Sequence, residues 1–112
     1  MSTLENNIIY STHEDNPIYM ELVGEFVKSI DEKKQEFLDA VNSKDRKNML
    51  AVAHKFKGNF ATYGFSVVAQ IIEKIEAALK DPQQWDNIQS DPQFIELLSE
   101  LLTVFSLIKT KN

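Results

Sequence analysis

The chain has 112 residues, a net charge of −5 and no cysteine. One domain of this size buries roughly two-thirds of its unfolded surface without staples, and disulfides, thiolate zinc sites and cysteine nucleophiles are excluded. The acidic balance speaks against a protein that grips nucleic acid by its phosphates, which takes an excess of Lys and Arg along one face.

Three Gly, three Pro and no alternating pattern bounded by turn pairs point to an all-α domain. The N-terminus lacks a basic region followed by an apolar run, and nowhere does the chain approach the roughly 18 apolar residues of a membrane span. A soluble cytoplasmic protein with no membrane contact is expected. The two histidines, His13 and His54, are too far apart in sequence to suggest a metal cluster.

Residues 1–16 read as an arm, polar apart from Leu4, Ile8, Ile9 and Tyr10, that forms a loose turn or lies against the domain of residues 17–112. His13 in this arm reads as a solvated tail histidine. Asp15-Asn16-Pro17 starts a helix, with Asp15 or Asn16 as cap and Pro17 where its missing N–H is harmless. Tyr19, Leu22, Val23, Phe26 and Ile30 follow at helical spacing. Ser29-Ile30-Asp31-Glu32 has the form of a capping box, which predicts a break and a second helix. That helix carries Phe37, Leu38 and Val41 inside, with Lys33, Lys34, Gln35 and Glu36 outside.

Asn42-Ser43-Lys44-Asp45 is a connection, and Ser43 or Asp45 caps a central helix running from about Arg46 to Thr62, closed by Tyr63-Gly64. Val67, Val68, Ile71, Ile72, Ile75, Ala78 and Leu79 share a face of the next helix, which Asp81-Pro82 stops. In the loop of residues 82–90, Trp85 and Ile88 are expected to fold back over the core edge, the commoner role for such a tryptophan than partner contact. Ser90-Asp91-Pro92-Gln93 opens a last helix carrying Phe94, Leu97, Leu98, Leu101, Phe105 and Ile108. Short links make neighbouring helices antiparallel, so the expected architecture is an up-down antiparallel four-helix bundle with an extra N-terminal helical segment.

The central helix has an unusual outer face. At about 100° per residue, Met49, Val52, Ala53, Phe60 and Tyr63 lie within about 60° of Phe56 and form the core stripe, whereas His54 lies about 160° away. Its neighbours on the outside are Lys47, Leu50, Ala51, Gly58 and Ala61. An ordinary solvated face carries Glu, Lys, Gln and Arg, and Gly58 inside a helix costs about 1 kcal/mol relative to Ala. A lone surface histidine is ordinarily just a polar residue. One on a low, bare patch calls for a function.

His54-Lys55-Phe56-Lys57-Gly58, followed by Gly64, Val68 and the Ile75-Glu76 pair, resembles the signature of histidine-containing phosphotransfer (HPt) domains: His-x-Leu-Lys-Gly, a glycine, spaced aliphatics and a Leu-Glu pair. Asp45, nine residues before His54, matches the helix-starting aspartate common in that family. The similarity spans about residues 17–108, with its core at 45–76. Phe56 replaces the usual Leu, and Asn59 stands where Ser is frequent; neither touches the acceptor.

The resemblance implies a phosphorelay intermediate in which His54 takes a phosphoryl group from the aspartyl phosphate of a receiver domain and passes it to another. Such a carrier has no active site of its own. Mg2+ and the catalytic aspartates belong to the receiver, so no cofactor is expected here. The partners implied are receiver domains of response regulators or hybrid histidine kinases, and a free-standing monomer is expected. Lys57 is placed to offset the phosphoryl charge, with Lys55 and Lys47 as further support. Gly58 leaves room for a partner, and Leu50, Ala51 and Ala61 supply the apolar part of a docking patch. By resemblance, Glu76 orients the His54 ring. The alternative is an interaction module that binds receiver domains or kinases without transfer, although a degenerate member would be expected to lose His54, Lys57 or Gly58. A haem or metal bundle would need His13 to pair with His54 and is a weak third reading.

Overall fold

The computed structural model describes residues 8–13, 15–81 and 91–110. Five helices account for most of them: α1 (Pro17–Lys28), α2 (Ile30–Asn42), α3 (Arg46–Thr62), α4 (Ser66–Lys80) and α5 (Pro92–Leu107). Consecutive helices pack side by side and α2 closes against α5, giving a four-helix bundle with α1 as the extra N-terminal segment. The Arg46 guanidinium at the start of α3 donates to the carbonyls of Leu79 (2.7 Å) and Lys80 (2.9 Å) at the end of α4, so these two helices run antiparallel.

The helix starts follow local chemistry. The side chains of Asn16, Asp45 and Asp91 each accept a hydrogen bond from an exposed N–H of the first turn, and Pro17 and Pro92 occupy first-turn positions. The capping box expected at Ser29 does not form. Ser29 Oγ donates to the Phe26 carbonyl and accepts from Lys33 Nζ, leaving it no part in capping α2. The break between α1 and α2 nevertheless falls at this residue.

Phe60 is fully buried and is the centre of the core. Its ring lies edge-on to Phe26 of α1 (5.0 Å between centroids) and to Phe56 (6.3 Å), and stacks on Phe105 of α5 (5.5 Å). Phe37 of α2 stacks on Phe56. One aromatic chain therefore links α1, α2, α3 and α5. Val68, Ile71, Ile72, Ile75 and Leu79 of α4 fill the remaining side.

Three apolar positions depart from expectation. Tyr19 and Leu22 are exposed, because only the second half of α1 meets the bundle; Val23, Phe26 and Ile30 are buried as the spacing predicts. Val67 is also exposed, since the buried face of α4 is centred on the side of Val68 and Ile72. Trp85 and Ile88 lie outside the described residues, as do Leu4 and Pro82.

The described part of the arm is tied down. Ile9 bridges to Ile108, with Ile9 N–H on the Leu107 carbonyl (2.8 Å) and Lys109 N–H on the Ile9 carbonyl (3.0 Å). Ser11 is buried and its hydroxyl donates to the Tyr63 carbonyl; Thr12 N–H reaches the Gly64 carbonyl at 3.0 Å. The arm thus clamps the ends of α3 and α5 together.

Gly64 makes that corner possible. Its φ of 86° lets Phe65 N–H bond back to the Phe60 carbonyl and Gly64 N–H to the Ala61 carbonyl, the paired closure of a helix by a left-handed residue. A Cβ here would stand 2.6 Å from Ser11 Oγ and 3.0 Å from the His13 nitrogen. Gly64→Ala is therefore expected to lower stability by roughly 2–4 kcal/mol, combining left-handed strain with overpacking. In urea unfolding this should appear as a lower midpoint at an unchanged slope.

Candidate functional site

Asp45 fixes where α3 begins, its side chain accepting from the N–H groups of Lys47 and Asn48. From that start, Met49, Val52, Ala53, Phe56 and Phe60 all fall inside, and His54 falls outside. Its side chain is 74% exposed. The exposed surface on either side of it includes Ala51, Gly58 and Ala61. Leu50 differs from expectation: it is half-buried and packs against the core, so it gives the outer patch only an edge. A Cβ at Gly58 would have nothing within 4 Å, so no contact among the described residues demands glycine there.

His54 is held from below. Nδ1 lies 3.0 Å from Oε2 of Glu76 on α4. Lys57 Nζ donates to the other oxygen, Oε1, at 2.7 Å. Glu76 is only 4% exposed. An isolated buried carboxylate is strongly unfavourable, and one that gathers cationic and N–H donors is not. Burial by itself pushes the Glu76 carboxyl up. The hydrogen bonds from Lys57 and His54 and the charges of Lys57 and Lys80 outweigh that and hold it below the usual carboxylate range. Lys57 is held above its usual value by the same hydrogen bond, against partial desolvation.

The ionised carboxylate can only accept, so the neutral imidazole carries its proton on Nδ1 and keeps the lone pair on Nε2. The site therefore presents an exposed ring whose one free nitrogen is nucleophilic and whose other nitrogen is fixed. Glu76 matches the orienting position that the resemblance implies.

The lysines divide. Lys57 does not stand free beside His54 but is committed to Glu76. Lys55 pairs with Glu36 of α2. Lys47 is exposed and, among the described residues, in no ion pair. Sequence reasoning missed Lys80, whose Nζ stands 3.9 Å from Glu76 Oε2, and Arg46, which ties α3 to the end of α4. The four-residue spacing from Glu76 to Lys80 was a signal for the first. The second depends on which helix end lies beside Arg46. His13 lies beside Tyr19, with 5.6 Å between ring centroids.

The lowered Glu76 pKa has a defined sign in stability. The contribution is complete above the carboxylate range of the unfolded chain and is lost as pH falls through the lower folded value. Glu76→Gln is expected to be less stable than the parent at neutral pH, with the gap closing as pH drops below about 5. Thermal unfolding of both proteins across that range checks this.

A protein-family model described as the Hpt domain matches residues 21–106, from the second turn of α1 to the last turn of α5. Comparison with curated proteins and with solved structures gives no match. The family match covers well over half of the sequence and coincides with an all-helical bundle whose central helix carries His54 outward. The chain belongs to the Hpt domain family, the histidine phosphotransfer domains of two-component phosphorelays.

Proposed function

We propose that His54 is the phosphoacceptor and that the protein carries phosphoryl groups between receiver domains of response regulators or hybrid kinases. The observation that carries this reading is the exposed His54 ring held at Nδ1 by the buried Glu76 carboxylate. In the transfer, the Nε2 lone pair attacks phosphorus in line with the aspartyl oxygen. The N–P bond forms as the P–O bond breaks, and that bond's electron pair returns to the aspartate. The proton stays on Nδ1, the ring becomes cationic, and Glu76 offsets that charge as it develops. Passing the group to a second receiver reverses these steps.

The chain supplies a nucleophile and a docking surface; in this reading the metal that neutralises the phosphoryl oxygens is the Mg2+ of the receiver. Ala51, Gly58 and Ala61 form the low ground around the ring, with Leu50 at its edge and Lys47 and Lys55 at its rim. The protein acts as a cytoplasmic monomer, without an active site of its own.

Incubation with a phosphorylated receiver should place acid-labile, alkali-stable label on the parent protein and none on His54→Gln. Equal labelling of His54→Gln sinks the assignment. Receiver binding that survives in His54→Ala, with no label on the parent protein at any time, would favour a non-transferring interaction module.

Gly58 separates stability from docking. Because a Cβ there meets nothing within the chain, Gly58→Ala should stabilise the isolated protein by up to about 1 kcal/mol through helix propensity alone. The same methyl group stands on the ground a partner must approach, and transfer from a receiver should slow by about tenfold, equivalent to about 1.4 kcal/mol. Denaturant unfolding and timed transfer on the same preparation test the two halves.

A further inference from the structure

Three cationic or N–H donors converge on one buried carboxylate, and they are not equivalent. Glu76 Oε1 takes Lys57 Nζ at 2.7 Å, Oε2 takes His54 Nδ1 at 3.0 Å, and Lys80 Nζ stands off from that same Oε2 at 3.9 Å. Lys80 is one turn along α4 from Glu76 and 65% exposed, whereas Lys57 is 30% exposed. At 3.9 Å Lys80 is beyond hydrogen-bond distance. It is close enough to act on the carboxylate by charge and to close on it by a small side-chain rotation. Glu73 on the same helix adds a further negative charge near Lys57.

The consequence rests on the reading of His54 as acceptor. A phosphoryl group on Nε2 brings two negative charges to the ring that Glu76 already touches. Lys57 is the ammonium that α3 already commits to this site, and a phosphoryl oxygen would compete with Oε1 for its three N–H groups and draw it outward. If Lys57 turns outward, Glu76 keeps its burial and loses its strongest partner. A buried carboxylate in that position is strongly unfavourable unless another cation closes on it.

We propose that Lys80 is a positioning residue that closes on Glu76 when Lys57 turns to the phosphoryl group, so that the carboxylate stays ionised and keeps its hold on Nδ1. Lys57 then holds Glu76 by hydrogen bond in the resting state while Lys80 acts on it through charge alone, and Lys80 takes the closer place in the phosphorylated state.

Phosphoramidate, a small phosphoryl donor that needs no docking surface, removes any effect of Lys80 on receiver binding. The phosphohistidine fraction at fixed donor concentration is measured for the parent protein, Lys80→Met, Lys80→Arg, Glu76→Gln and the double variant Lys80→Met with Glu76→Gln. Lys80→Met should lower that fraction by about threefold, within the range of exposed ion pairs, and lower the thermal midpoint of the unphosphorylated protein far less than Glu76→Gln does. Lys80→Arg should restore it. In the Glu76→Gln background Lys80→Met should have no effect, because the charge it serves is gone. An unchanged fraction in Lys80→Met, or an equal loss in both backgrounds, overturns the exchange while leaving His54 as acceptor. Absence of label on His54 in the parent protein, with phosphoramidate and with a phosphorylated receiver alike, overturns both.

Discussion

A carboxylate that is buried and charged has to be answered by donors, and most of the site follows from that requirement at Glu76. It lies on the inner side of α4, 4% exposed, and its two oxygens are met from α3 by Lys57 and His54. Both donors come from one helix three residues apart, so satisfying them sets the rotation of α3 against α4 as well as the rise. Arg46 fixes the same pair at its other end, through the carbonyls that close α4. A histidine that would otherwise be free to rotate is thereby held with one nitrogen down and the other open.

The opposite face of α3 does different work. Phe56 and Phe60 are exposed to 1% or less and connect to Phe26, Phe37 and Phe105, so the helix is anchored by large rings on one side. Dense packing resists small displacements, and the outer face inherits that rigidity. On it, Ala51, Gly58 and Ala61 keep the surface low around His54. Among the described residues nothing stands within 4 Å of a Cβ at Gly58, so this glycine answers no packing need there. Its helix penalty fits the proposal that a partner comes close here.

The arm and the α3–α4 corner form a second fixed point. Ser11 and Thr12 bond to the carbonyls of Tyr63 and Gly64, and Ile9 pairs with the end of α5. The residues that close α3 are therefore held from outside the bundle as well as from within it.

Much of this was legible in the residues themselves. The helix limits of α3, the outward direction of His54 and the glycine closure at Gly64 follow from periodicity and capping, which are local properties of a chain segment. The arm's clamp, the exposure of Leu22 and the failure of the Ser29 capping box were not legible, because each depends on which other segment lies alongside. The same holds for the lysines. Spacing puts Lys57 next to His54, but only the packing of α3 on α4 decides that its ammonium spends the resting state on Glu76. Local chemistry determined what each helix presents, and tertiary contact decided which charges meet, since an ion pair between helices is set by distance in space and leaves no period in the sequence.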